Sequence, residues 1–382
     1  MKSIIDSALQ QHAEDQKSAE VLKGAGVPTQ QSAGNPDDDD LMKLVETLRI
    51  NIKIIGCGGG GCNTINRLTQ SGIVGAQLLA INTDAPHLLH IHAPKKMLIG
   101  KKLTKGLGAG ALPEVGEAAA KENEDELKAY IGGSHIVFVT AGMGGGTGTG
   151  AAQYVAKTAK ESGSLVMGIV TLPFKAEGHL RMENALKGLE KLRKFTDTTI
   201  VINNDKLLEL VPRLPLDAAF KVADEILMNA IKGITEIITK PGLVNIDYSD
   251  LMTIMKNGGV AMIGMGDSDE DRERVDEAVK EALSSPLLGE VDVSQSKGAL
   301  VRIVGGSDMT ITEAQRAVEL VGQRISPTAR IIWGCTVDPT MEKSVNILLV
   351  LTGVKAKGLI ESHGPSVLTG RPPQNDAFEE VR

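Results

Sequence analysis

Aromatic residues are scarce: one Trp, three Tyr and five Phe make up 2% of the 382 residues. Single-strand binders stack bases on such rings, so composition argues against that class. Positive charge is also short. A net charge of −7 and a pI near 5.6 leave no basic footprint for DNA or RNA, and no nucleic-acid partner is expected. Cysteine is limited to Cys57, Cys62 and Cys335, which give neither a disulfide framework nor a CxxC metal pair. No signal peptide is evident, and no apolar run is long enough to span a bilayer. A cytoplasmic setting without direct membrane insertion is the expectation. The phosphate-loop pattern G-x-x-x-x-G-K-[ST] is missing as well.

Glycine is abundant at 43 residues, and 42% hydrophobic residues are enough for sizeable cores. Length alone suggests two or three domains. Residues 1–40 end in "DDDD" and read as a flexible tail, because that composition buries little. Asp40 can cap a helix over 41–49. Over 41–214, "NIKIIG", "AQLLAINTD", "KKMLIG", "HIVFVTAG", "LVMGIVTLP" and "TTIVINN" alternate with helical stretches. Short apolar runs separated by helices predict an α/β, Rossmann-like, largely parallel sheet.

Residues 215–241 differ. Apolar positions recur there at helical spacing and spill onto neighbouring faces, so a long central helix of about 35 Å is expected between two bodies of protein. Residues 242–356 read as a smaller α+β domain. Its expected strands lie at 258–266, 298–306, 329–337 and 345–354, with helices near 269–284 and 312–324. Residues 357–382 read as a second flexible tail.

The chemistry lies in the glycine clusters. Gly56, Cys57, Gly58, Gly59, Gly60 and Gly61 satisfy G-x-G-x-x-G between a strand and a helix, the dinucleotide-binding fingerprint. A helix N-terminus gathers unpaired N–H groups and partial positive charge, so Gly58–Gly61 ahead of Asn63 make an anion site. Asp84 follows the next strand, where a nicotinamide enzyme needs an acidic residue. A second strand–loop–helix unit weakens that reading. "GGGTGTG" supplies Gly144, Gly145, Gly146, Thr147, Gly148, Thr149 and Gly150, and one pyrophosphate does not need two cradles. A triphosphate with Mg²⁺ does, since its charge is spread over three centres. A third loop, "KKLTKGLGAGALPEVG", adds Gly106, Gly108 and Gly110 with lysines nearby.

"GGGTGTG", "GLGAGALPEVG", "AINTDA" and "GLVNIDYSDL", in that chain context, resemble the tubulin/FtsZ family of filament-forming GTPases over about residues 45–356. The wording of several loops is closer to archaeal FtsZ-type members than to bacterial ones. The resemblance implies GTP or GDP with Mg²⁺, the ion held mainly by the nucleotide phosphates. It assigns nucleotide contacts to Gly58, Gly59, Gly60, Gly61 and Asn63, and phosphate contacts to the loop at 144–150. Ala80, Asn82 and Asp84 would approach the γ-phosphate, with Gly108 and Gly110 in the third loop. Glu177 and Arg181 would meet the sugar and base, although their spacing equally fits a surface i,i+4 ion pair. Asn204 would read guanine, Phe220 would cover it, and Asp224 would accept from guanine N1–H and N2–H₂.

In the family, the loop holding Asn245, Asp247 and Asp250 reaches the nucleotide of the neighbouring subunit. Those residues become the catalytic candidates, and a head-to-tail homopolymer follows. An Asx-rich turn capping the next helix explains the same spacing. Cys62 stands where relatives commonly carry Gly or Asn, and Leu112 where they usually carry Asn. By resemblance, the role is cell division in a midcell cytokinetic ring, reached through a membrane adaptor. A GTPase polymer for cell shape, positioning or segregation is the second reading, and a nicotinamide-dependent oxidoreductase the remote one.

Overall fold

Runs rich in Ile, Val and Leu form the strands, and glycine-led segments open two of the helices between them. In chain order the elements are β1 (Ile52–Cys57), α1 (Gly58–Gln70), β2 (Ala76–Asn82), α2 (Ala85–His90), β3 (Lys95–Leu98), α3 (Lys101–Thr104), α4 (Pro113–Glu122) and α5 (Glu124–Ile131). Then come β4 (Ile136–Gly142), α6 (Gly146–Glu161), β5 (Leu165–Leu172), α7 (His179–Arg193), β6 (Thr198–Asn203) and α8 (Asn204–Leu210). The rest comprises α9 (Leu216–Thr239), α10 (Tyr248–Met255), β7 (Gly259–Ser268), α11 (Arg274–Ser284), β8 (Gly298–Gly305), α12 (Ile311–Gly322), β9 (Arg330–Val337) and β10 (Val345–Thr352). This computed structural model describes residues 50–210, 216–240, 242–244, 246–270, 273–289 and 291–354. The expected tails, the expected helix at 41–49 and Asn245 lie outside the described residues.

Strands β1 to β6 are parallel in the order β3-β2-β1-β4-β5-β6. This is the doubly wound Rossmann arrangement expected from the strand–helix alternation. Such sheets bind ligands beyond the carboxyl ends of the strands, where the winding reverses. Here the reversal falls between β1 and β4, the two strands that lead into the glycine loops.

The smaller α+β part does not form a separate sheet. Instead its strands, in the order β7-β10-β8-β9, extend the first sheet. The join is parallel pairing of β6 with β7, from Thr198 opposite Gly259 to Ile200 opposite Ala261. Buried Asp197 anchors the join. Its carboxylate accepts from the Val166 backbone N–H at 3.0 Å and pairs with the Lys160 ammonium at 2.5 Å. Its carbonyl accepts from Gly259 N–H at 3.1 Å.

Helix α9 meets both parts of the sheet. Ala223, Leu227, Ala230, Ile231, Ile234 and Ile237 are buried in one cluster with β1, β4, β6 and β8 side chains. Each large aliphatic side chain there contributes about 1.5–3 kcal/mol by burial. The Arg67 guanidinium of α1 binds Glu225 at 2.8 Å, and Arg302 of β8 binds Glu236 at 2.8 Å. Among the described residues no helix is long and apolar enough to cross a membrane.

Helix α4 begins at Pro113, and its N-cap, Leu112, has no side-chain cap bond although its backbone is extended there. Leu112 is 59% exposed, so its apolar side chain contributes little. Restoring an amide should help. Leu112→Asn is expected to stabilise the fold by about 1 kcal/mol through capping of the α4 N–H groups. Chemical denaturation measures it, and an unchanged or lower midpoint would refute the cap argument.

Candidate functional site

A cavity of about 590 Å³ opens across the carboxyl ends of the parallel strands. Sixteen of the expected nucleotide contacts line it: Gly59, Gly60, Asn63, Asn82, Asp84, Gly108, Gly110, Gly145, Gly146, Thr147, Gly148, Glu177, Arg181, Asn204, Phe220 and Asp224. The same wall contains His87, Leu107, Met143, Thr171 and Pro173, which the sequence reading did not single out.

Several of the other expected contacts shape the wall without lining it. Gly58 has φ +68°, and a Cβ there would sit 2.6 Å from Gly148 N. That glycine brings the two cradles together. A Cβ on Gly61 would meet Thr140 O at 2.4 Å, and one on Gly150 would meet Pro113 O at 2.0 Å. Both are sites of close helix approach. Gly144, at φ +102°, passes against Arg181 O, and its N–H donates to the buried Thr149 Oγ1 at 2.8 Å. Ala80 is fully buried in the core of β2. It shares a strand face with Asn82, two residues on, but sits deeper in the strand, in one buried cluster with Cys62 and Ile65 of α1. The expectation that it approaches a phosphate is therefore corrected.

The phosphate cradle is built from backbone. Helix α6 starts at Gly146 with Gly145 as its N-cap, so unpaired N–H groups and the positive helix end face the cavity. The third loop is knitted to both neighbours. Gly146 N–H donates to Gly110 O at 2.9 Å, Gly108 N–H to Thr83 O at 3.1 Å, and the Thr83 and Thr147 hydroxyls lie 2.6 Å apart. Its lysines, Lys101, Lys102 and Lys105, do not line the cavity. Thr83 was missed in sequence, although it sits inside the "AINTDA" motif.

At the other end, beyond β5 and β6, the groups suit a base and sugar. Asn204 is 3% exposed, and its Oδ1 has no hydrogen-bond partner. A buried orphan acceptor is costly unless a ligand satisfies it. Phe220 packs edge-on against Phe174 at 5.0 Å between ring centres and keeps 38% exposure at the cavity. Burial pushes the Asp224 carboxyl up to about 6, against the pull of the Arg67 guanidinium and a hydrogen bond from Asn63. Arg181 and Glu177 do form an ion pair, at 2.7 Å, while Glu177 also accepts from Phe174 N–H at 2.9 Å. The pair faces the cavity, so the ion-pair and ligand readings are compatible.

Cys62 points away from any ligand. It is fully buried, its thiol contacts Ile81 O at 3.3 Å, and burial pushes its pKa up to about 12. It behaves as a small, unreactive core residue.

Asp247 and Asp250 are not brought to this cavity. Asp247 caps α10, its Oδ1 accepting from Asp250 N–H at 2.8 Å. Tyr248 beside it donates to His135 O at 3.3 Å. His135 directly precedes β4, whereas the glycine loop follows Gly142 at the far end of that strand. Seven residues of parallel strand span about 23 Å. The exposed carboxylates therefore lie at the opposite pole of the sheet from the glycine loops.

Residues 51–212 match the Tubulin/FtsZ family, GTPase domain, and residues 259–355 match the FtsZ family, C-terminal domain. Cell division protein FtsZ 1 of Archaeoglobus fulgidus is 50% identical over 364 residues, covering 95% of this chain and 96% of its own. The chain belongs to the FtsZ family. Cell division protein FtsZ of Haloferax mediterranei is 52% identical over 367 residues, with 95% and 96% covered. The solved FtsZ dimer, empty, of M. jannaschii superimposes with a TM-score of 0.80 at 50% identity, covering 89% of this chain and all of that one. Membership makes the chain a guanine-nucleotide GTPase of the self-assembling cell-division type, as the motifs implied. The oxidoreductase reading falls.

Proposed function

We propose that GTP lies across the cavity, with guanine between Asn204, Phe220 and Asp224 and its phosphates over the loops after β1 and β4. Asp224 would accept from guanine N1–H and N2–H₂, donors that adenine lacks. Hydrolysis then requires a water in line with the γ-phosphate. Within one chain the candidate carboxylates Asp247 and Asp250 are a strand length from the phosphates. That separation carries the reading. A second copy stacked head to tail supplies the loop, the contact repeats without closing, and a filament results.

In this scheme residues 41–214 form the nucleotide-binding domain, 215–241 connect and lend it Phe220 and Asp224, and 242–356 activate the next subunit's site, with Asn245 in the same loop as the two carboxylates. A Mg²⁺ ion takes oxygen ligands. It would be held mainly by the phosphates, and Asp84 and Thr147 offer protein oxygens that fit the same end. The filament would act in the cytoplasm at the midcell division ring, tethered through a membrane adaptor.

The test is GTP turnover per molecule as protein concentration rises. A shared site gives little turnover at low concentration, then a rise above a threshold together with sedimentable polymer. Turnover independent of concentration would mean that one chain completes its own site.

A further inference from the structure

We infer that His87 is a specificity residue for the terminal phosphate, its Nε2–H donating to an oxygen that GTP has and GDP lacks. The inference rests on the GTP reading above. It begins at the end of β2. Asn82 is 3% exposed, and its Oδ1 accepts from Thr83 N–H at 2.9 Å and Asp84 N–H at 3.3 Å. Those two bonds fix the orientation of the amide. Its Nδ2 therefore faces the His87 ring and lies 3.2 Å from His87 Nδ1.

An amide NH₂ can only donate, so Nδ1 must accept and the ring proton sits on Nε2. The backbone of His87 is held too, its N–H donating to Asp84 Oδ1 at 2.9 Å. The result is a half-buried imidazole on the cavity wall with its tautomer set by neighbours rather than by solvent.

The strand order says which part of the nucleotide this imidazole meets. From β2 to β6 the sheet runs β2-β1-β4-β5-β6, four spacings or about 19 Å. Asn204 follows β6, and the glycine loops follow β1 and β4. A guanine at the β6 end with two phosphates over the loops leaves only a third phosphate to reach the tip of β2. At that tip the Asn82 amide is committed to His87, and Asp84 presents a carboxylate. The His87 Nε2–H is a side-chain donor placed there by two successive hydrogen bonds.

Equilibrium binding of GTPγS and of GDP to the full chain, below the concentration at which polymer sediments, tests this. His87→Ala is expected to weaken GTPγS on the order of tenfold, the value of one hydrogen bond to a charged group, and to leave GDP within about twofold. His87→Gln can accept from Asn82 and still donate, so it recovers most of the GTPγS affinity. Equal losses for both nucleotides would mean that His87 only holds the loop, and an unchanged GTPγS affinity would mean that it makes no phosphate contact; either overturns the inference. If the unsubstituted protein binds neither nucleotide, the GTP reading itself fails and this inference with it. If it binds both and His87→Ala is inert, only the role of His87 falls.

Discussion

Asp250→Ala is expected to bind GTP as the unsubstituted protein does and to lose turnover by about 100-fold or more, the usual weight of a group that handles the attacking water. Asp250 is exposed, lies in the first turn of α10, and contributes a backbone N–H rather than its carboxylate to the Asp247 cap. Removing the carboxylate leaves that bond in place. The nucleotide cavity, at the other pole of the sheet, should not register the change. Because hydrolysis is what spends the bound GTP, polymer formed by Asp250→Ala should also persist long after polymer of the parent protein has sedimented less. Filter binding, phosphate release and timed sedimentation read the three quantities on one preparation. Normal turnover would remove Asp250 from the reaction and leave the shared-site proposal without its clearest carboxylate.

Asp247 is a less clean probe for a structural reason. Its side chain caps α10, so Asp247→Ala loses about 1 kcal/mol of helix stability along with the carboxylate. Asp247→Ser retains a capping oxygen and removes only the charge. Turnover that falls in Asp247→Ser to the level of Asp247→Ala would assign the loss to chemistry rather than to an unravelled α10.

The parallel sheet and the two glycine cradles were legible because each strand–glycine–helix unit is local in sequence and because parallel strands need helical crossovers. The glycines themselves were legible only as a group. Gly59 and Gly145 line the cavity, whereas Gly58, Gly61 and Gly150 are required where backbone approaches backbone. Both demands write the same letter. Ala80 was misassigned because it sits two residues short of the strand end, buried in the core, whereas Asn82 on the same face reaches the cavity. Thr83 and His87 act through bonds to Thr147 and Asn82, the first of them a contact across 64 positions of sequence that no local pattern carries. The join between β6 and β7 was likewise hidden, because it is backbone pairing between Thr198–Ile200 and Gly259–Ala261, segments about 60 positions apart in sequence. The sequence put Asp247 and Asp250 on one loop, but only the direction of β4 shows that this loop lies at the opposite pole.

Acidification should weaken guanine nucleotide binding from about pH 6 downward. Asp224 carries the effect. Burial raises its carboxyl to about 6, and Arg67, whose Nε lies 3.9 Å from Oδ2, offsets this in part. Guanine presents two N–H donors to this group in the proposed pose, so the nucleotide selects the ionised form. Below pH 6 binding must first expel a proton, and affinity falls by up to about tenfold per pH unit. Stability of the nucleotide-free chain runs the other way. A carboxyl with a folded pKa above its unfolded value of 3.8 holds its proton more tightly when folded. Its stabilising contribution is complete below the unfolded pKa and is lost as pH rises through about 6. Asp224→Asn should therefore melt higher than the parent at pH 7.5 without nucleotide, yet bind GDP about 100-fold more weakly, because its amide sets a donor against guanine N–H groups. It should also lose the pH dependence of binding between pH 5 and 7. Titration calorimetry of GDP across that range, with melting curves of both proteins, separates the two effects. A parent whose GDP affinity is flat from pH 7 to 5 would mean that Asp224 does not read the base.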